Sequence, residues 1–450
     1  MFKKYRFLFL SLLFFSLCAT VDQQLSVSSQ LSTVVDRFPS VHIGIAVRDL
    51  KDNSVVYTHS DQYLFIPASN TKLITAAMAL DILGPEYQFE TIMCAEEYCA
   101  GQNTVRNIYI KGAGDPTFTH NSLEQMVQAL KRTGIEKISG DVYIDASVFD
   151  NEPFAAGIVL DDIRHSWSSA VSACIIDRKP ASINGITLFE DIHVPENAVS
   201  NIARVLDEYF KKNEIPWSGH VEFKKTPEQA TPLVAYYSEP LEDMIKRMLK
   251  NSDNLYADCL FKKAASVRYG AQGSWCDGIR CVKDFLSTKV GIPLGTYVIE
   301  DGSGRSRYNY LSPDHIVQLL SWVSKQPFFE AFYQGLARAG VDGTLKNRMC
   351  GLSIPVRAKT GTMAGISALS GYISDDNDNL LAFSILTNGF VQSQSMAGAV
   401  PLKIFTPSGP NYKTEIEDAI CAVLASGYSA LAVDGALQNK NLPAEQSALY

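Results

Sequence analysis

The chain has 450 residues, 46% hydrophobic and 20% charged, the composition of a folded protein with room for two or three domains. Its formal net charge is −8. An acidic balance of this kind excludes nucleic acid as the natural partner, because phosphate contacts need clustered Lys and Arg.

The N-terminus carries Lys3, Lys4 and Arg6, an uncharged apolar run from Phe7 to Leu17, and the small residues Ala19 and Thr20. Such a run is too short to span a bilayer and predicts a signal peptide over 1–19. The mature chain, 40 basic residues less three, then sets 37 against 48 acidic ones, net −11. Export to the periplasm follows, with peripheral membrane attachment as an option. Cys18 is a second candidate anchor by lipidation, although Leu17 before it is larger than the usual residue there.

Alternation from His42 to Leu50, a turn at Asp52-Asn53 and the β-rich Val55 to Thr58 predict a hairpin. The apolar stretch Asn70 to Leu83, stopped by Gly84-Pro85, predicts a helix with Ser69 at its N-terminal end. Residues 88–196 hold strand-like pieces at Asn107 to Lys111 and Asp141 to Asp145 and read as an insertion domain. Cys94 with Cys99, and Cys276 with Cys281, enclose short loops that suit local disulfides, with buried free thiols as the alternative. Helical patterns follow at Ala198 to Lys212 and over Leu241 to Ala265. Val356 to Ala358, Ser367 to Ile373 and Leu380 to Asn388 read as strands, so one sheet is assembled from both ends of the chain. The expected organisation is 20–87 with 197–430 as the catalytic domain, 88–196 inserted, and 431–450 as a tail.

Three short motifs carry the chemistry. Ser69-Asn70-Thr71-Lys72 has the form S-x-x-K, which puts a hydroxyl and an amine one helical turn apart. A serine is a weak nucleophile until a neighbouring base takes its proton, and a lysine of depressed pKa does this. Two S-x-N triplets compete for the second place. Ser182-Ile183-Asn184 has a full structural explanation in the Asn184-Gly185 turn, whereas Ser252-Asp253-Asn254 interrupts two helical runs and presents its side chains from a short loop. The third motif is Lys359-Thr360-Gly361-Thr362, after the strand-like Val356 to Ala358. There Lys359 supplies fixed charge, Thr360 a hydroxyl for a carboxylate, and Gly361 room for a substrate backbone.

The three motifs in this order resemble the active site shared by penicillin-binding proteins and serine β-lactamases. Ser69 and Ser252 are 252 − 69 = 183 residues apart. That spacing resembles the low-molecular-mass class C penicillin-binding proteins, the D-alanyl-D-alanine carboxypeptidase/endopeptidases of peptidase family S13. Gly112 to Pro116, Asn251 to Asp258, Asp301-Gly302-Ser303-Gly304 and Val341 to Leu345 are also similar to the family, so the resemblance runs from about residue 40 to 390. It implies an α+β transpeptidase fold, an antiparallel sheet flanked by helices, with an inserted smaller β-rich domain. It implies Ser69 as acyl-enzyme nucleophile, Lys72 as base, Ser252 as proton relay and Asn254 as binder of the substrate amide. Lys359 and Thr360 would hold the terminal carboxylate, with backbone N–H groups of Ser69 and Thr362 as oxyanion hole. Arg307 matches a position that binds the diaminopimelate side-chain carboxylate, and Met363 lies on the same wall. The resemblance calls for no cofactor and no metal; the partners are peptidoglycan stem peptides and β-lactams. Asp177 to Ala198 is brief, which implies that an outer domain found in relatives is missing or reduced, and leaves Asp150 or Glu152 as the acidic residue lent to side-chain binding. The rival readings are a serine β-lactamase, marked by rapid turnover of penicillin, and an inactive wall-binding protein, which the intact Ser69, Lys72 and Lys359 oppose.

Overall fold

The computed structural model describes residues 27–163, 170–180, 198–352, 354–374, 379–389 and 414–427. The expected signal peptide over 1–19, Cys18, Ser182 to Asn184 and the expected tail over 431–450 lie outside the described residues. Within the chain two compact units form: one takes the residues through Asn70, Tyr310–Lys325 and Leu336 onward, the other Thr71–Asn309 and Gln326–Gly335.

The first unit is built on a six-stranded sheet. His42–Asp49 turns back into Val55–His59 as the alternating pattern predicts, and its other edge pairs antiparallel with Leu380–Asn388. The sheet continues through Ile366–Ser374 to Val356–Met363, both joints antiparallel. Ile43, Ile45 and Val47 point to one face, onto helices over 27–36 and 414–427 through Leu31, Val34, Ile420 and Leu424. The opposite face meets Pro313–Val323, and a methyl on Gly44 would come within 2.8 Å of Pro313. Cover on both faces explains why every residue of Ile366–Ser374 is buried. The strand predicted to end at Ala358 runs on to Met363, so the Lys-Thr-Gly triplet lies inside it.

In the second unit the helices Thr71–Leu83, Leu241–Asn251, Asn254–Tyr269 and Trp275–Phe285 pack together. Thr71–Leu83 is buried from Thr71 to Leu80, which its all-round apolar sequence anticipates. Close approach needs small residues: a methyl on Gly278 would strike the ring of Phe261 at 2.1 Å.

The same unit holds a five-stranded sheet in the order Val221–Phe223, Val142–Asp145, Ile108–Lys111, Glu90–Ala95, Thr231–Tyr237. Amphipathic helices His120–Arg132 and Ala198–Lys212 cover it through Leu123, Val127, Leu206 and Phe210. The boundary expected at residue 196 falls inside this layer. Two of its strands come later in the chain, because short strands there find partners among the earlier ones and cannot stand alone.

Of the two readings of the close cysteine pairs, disulfides or free thiols, the structure has free thiols: all eight cysteines among the described residues are free. Cys276 and Cys281 share the helix Trp275–Phe285, Cys281 buried and Cys276 exposed. Five residues along a helix is well over a turn, with the two side chains on different faces, so a staple cannot close. Cys94 is buried on strand Glu90–Ala95 while Cys99 is exposed beyond its end.

Candidate active site

Ser69 lies in a 3₁₀ turn, Ala68–Asn70, that runs directly into the helix Thr71–Leu83. Ala68 has φ +46°, a left-handed conformation that costs a residue with a Cβ of order 1 kcal/mol and is characteristic of functional turns. Asn70 N closes the turn on Pro67 O at 3.1 Å. The strand Val356–Met363 runs alongside: a methyl on Gly361 would come within 2.8 Å of Pro67 O and 3.0 Å of Asn70 Nδ2. Gly361 is therefore required for close packing of this strand against the serine turn. Lys359 is fully buried and donates to Thr360 O at 2.7 Å. Thr360 Oγ1 donates to Thr344 Oγ1 at 2.8 Å. Thr362 is exposed and Met363 half-buried at the strand's end. The adjoining strand Ala337–Arg338 pairs only with Ala358 and Arg357, and so stops short of the Lys-Thr-Gly triplet.

In the second unit Lys72, one turn on from Ser69, is completely buried and donates from Nζ to Asn254 Oδ1 at 2.7 Å and to Ser303 O at 2.6 Å. Burial lowers its pKa to about 8, Asp258 and Asp301 pulling it back up and Arg305 pushing it down. Roughly a tenth of such amines are neutral at pH 7, against almost none for an ordinary lysine. The helix is fastened to the same loop one turn later, Thr75 Oγ1 donating to Gly302 O at 2.6 Å.

That loop is held by two buried carboxylates. Asp301 accepts from the backbone N–H groups of Gly304, Arg305 and Ser306 at 2.8, 2.8 and 2.9 Å, and from Asn309 Nδ2 at 2.7 Å. Asp258 takes Gly302 N at 3.2 Å and Arg305 Nη2 at 2.8 Å, and burial lifts its pKa to about 6. These groups fix Ser303 O, a backbone acceptor for Lys72 inside the Asp301 to Gly304 segment that the sequence singled out.

Ser252-Asp253-Asn254 lies at the junction of the helices Leu241–Asn251 and Asn254–Tyr269. Ser252 caps Leu241–Asn251 in left-handed backbone at φ +59°, and Asp253 caps Asn254–Tyr269, accepting from Leu255 N at 3.1 Å. Arg178 clasps Asp253 with both guanidinium nitrogens, at 2.7 and 3.0 Å. Arg307 is partly exposed at 31%, with Asp162 the facing carboxylate at 3.9 Å. Lys262 Nζ, buried, binds Asp150 Oδ1 at 2.5 Å, which commits that carboxylate to the helix Asn254–Tyr269, and binds the backbone oxygen of Glu152 at 2.8 Å, while Glu152 itself is exposed.

A family model described as D-Ala-D-Ala carboxypeptidase 3 (S13) matches residues 26–187 and 180–405. The chain belongs to this family. Among curated S13-like relatives it is similar to the D-alanyl-D-alanine carboxypeptidase DacB of Haemophilus influenzae, 26% identical over 411 residues, 78% of this chain and 86% of the relative. The D-alanyl-D-alanine carboxypeptidase of Actinomadura sp. is 28% identical over 466 residues, 87% and 83% of the two chains. The fold is that of penicillin binding protein 4 from H. influenzae, with a TM-score of 0.74 at 24% identity, covering 89% of this chain and 99% of the other. The peptidoglycan endopeptidase Bd3459 of Bdellovibrio bacteriovorus is more distant, at 0.51 and 18%, over 77% and 86%. The antiparallel sheet with flanking helices read from the sequence is thus the S13 fold. Among the described residues no helix is long and apolar enough to cross a membrane.

Proposed function

We propose that this S13 member is an exported serine D-alanyl-D-alanine carboxypeptidase/endopeptidase that cleaves peptidoglycan stem peptides through an acyl-enzyme and is inhibited by β-lactams. The observation that carries it is Lys72: buried, hydrogen-bonded to Asn254, with its pKa brought down to about 8, one turn after Ser69. A lysine of lowered pKa one turn from a serine is suited to act as its base. Its relatives support the substrate: two are named D-alanyl-D-alanine carboxypeptidases, and the H. influenzae protein was crystallised with a β-lactam.

In the first half-reaction Ser69 Oγ attacks the carbonyl carbon of the penultimate D-alanine while its proton passes to Lys72 Nζ. The carbonyl π pair moves onto oxygen, where backbone N–H groups of Ser69 and Thr362 receive it. Collapse breaks the C–N bond, and Ser252 passes a proton to the departing amine. Asn254 holds Lys72 and the substrate amide; Lys359 and Thr360 bind the terminal carboxylate, and Arg307 a carboxylate on the stem side chain, near Met363. Water then attacks the ester with Lys72 as base and frees Ser69. A fluorescent penicillin should label the wild-type chain covalently and leave Ser69→Ala unlabelled; undiminished labelling of Ser69→Ala would remove this assignment.

A further inference from the structure

The short hairpin Ile175–Ile176 and Lys179–Pro180 turns on two consecutive non-glycine residues in left-handed backbone, Asp177 at φ +48° and Arg178 at φ +64°. Two-residue hairpin turns need this geometry and normally recruit Asn or Gly for it. Asp tolerates it by local hydrogen bonding; Arg has no such compensation, so the turn is strained at Arg178 and its surroundings hold it there. Asp177 is anchored through its carboxylate, which accepts from His120 N at 3.1 Å and pairs with the His120 ring. Its own N–H donates to Phe118 O at 3.1 Å. The result is a fixed platform from which Arg178 reaches Asp253 with two parallel hydrogen bonds. Asp253 is the middle residue of the Ser252-Asp253-Asn254 motif, and its side chain is only 13% exposed.

We propose that Arg178 is a positioning residue for acyl transfer: it fixes the loop that presents Ser252 and Asn254, and it balances the Asp253 carboxylate that acts on Lys72. The inference rests on the acyl-enzyme reading above. An isolated surface ion pair contributes little, but this one is bidentate, built on a strained turn, and ends on the loop carrying two reactive side chains. Besides burial, the charges acting on Lys72 are, from largest to smallest, Asp258, Asp301, Arg305 and Asp253. Asp258 is answered by Arg305 and Asp301 by backbone N–H groups of its own loop, whereas Asp253 is answered by a cation from a hairpin far away in sequence. The charged and titratable groups facing Arg178 are Asp253, Tyr256 and Cys259.

The test measures acylation by a fluorescent penicillin across pH in the full chain, with thermal unfolding in parallel. Arg178→Ala should slow acylation by about tenfold, the loss expected when a charged hydrogen-bonded partner is withdrawn. The acid limb should also move to higher pH, because an unbalanced Asp253 favours protonated Lys72. Arg178→Lys should recover part of the rate. In Arg178→Ala/Asp253→Asn both charges leave together, so the acid limb should return toward its original place even if the rate stays low. A merely structural ion pair would lower the unfolding temperature and leave the acid limb in position, and that outcome overturns the proposal. So does wild-type acylation by Arg178→Ala. Loss of label in Ser69→Ala alongside normal Arg178 variants leaves the acyl-enzyme reading standing and removes Arg178 alone.

Discussion

A base must be neutral to accept a proton, so on the proposed mechanism the burial that lowers Lys72 to about 8 sets the working range of Ser69. Acylation should therefore fall as pH drops below about 8, since protonation of Nζ removes the lone pair. A stopped-flow profile with its acid limb near the ordinary lysine value would contradict this. Lys72→Ala should slow acylation at least a hundredfold, the scale of a lost general base. Arg307 poses a different question, because Asp162 at 3.9 Å leaves most of its guanidinium for another carboxylate. Arg307→Ala should reduce kcat/KM by about 1.5–3 kcal/mol for a substrate with a free diaminopimelate carboxylate. A substrate lacking it should be barely affected, and equal losses for both would assign Arg307 to the fold.

At the scale of the element, two contacts set the geometry. The strand Val356–Met363 approaches the serine turn through Gly361, where a Cβ would meet the backbone oxygen of Pro67 at 2.8 Å. Backbone cannot swing aside as a side chain does, so Gly361→Ala should push the strand from the turn. We expect acylation to fall tenfold or more while stability drops by only about 1–3 kcal/mol, the range for overpacking. Unchanged acylation in a folded Gly361→Ala protein would show that the approach is not needed. On the other side of the motif, Thr75 and Lys72 both bond to carbonyls of the Gly302–Ser303 backbone, so the position of the serine helix depends on a loop that Asp301 and Asp258 hold rigid.

The whole molecule depends on how the chain returns on itself. Phe89 N donates to Ser238 Oγ at 2.9 Å and Ser238 N to Phe89 O at 3.0 Å, so the segment between them begins and ends at one place within the second unit. Replacing 90–237 by a short turn removes the Arg178 hairpin and also the Asp150 and Glu152 partners of buried Lys262, so penicillin acylation should fall below that of Arg178→Ala. Replacing only 88–196 strips Val221–Phe223 and Thr231–Tyr237 of the strands they pair with, and should give insoluble protein. Soluble, fully active 88–196 replacement would place the layer's boundary where sequence pattern alone puts it.

The three motifs were legible before any coordinates because each answers a local requirement: a nucleophile and base one turn apart, a polar break between helices, and a glycine beside charge on a strand. The strand Leu380–Asn388 and the helix Ala198–Lys212 were equally legible, since burial on one or both sides imposes a period on the residues themselves. Other features depend on groups brought together from distant positions. Ser303 O beside Lys72 is a backbone group, so its part as acceptor is not written in any side chain even though the Asp301 to Gly304 segment stood out. Arg178 on Asp253 joins positions 75 residues apart, and Lys262 claims Asp150 from 112 away. The close cysteine pairs left two readings open for the same reason, because spacing along the chain says nothing of which way a helix or strand turns each thiol. Sequence by itself determined which residue types stand in the three motifs and the periods of the elements. Tertiary structure alone decided the depth of burial of Lys72, the companions that set its charge, and where the inserted layer ends, because desolvation and strand pairing are properties of neighbours in space.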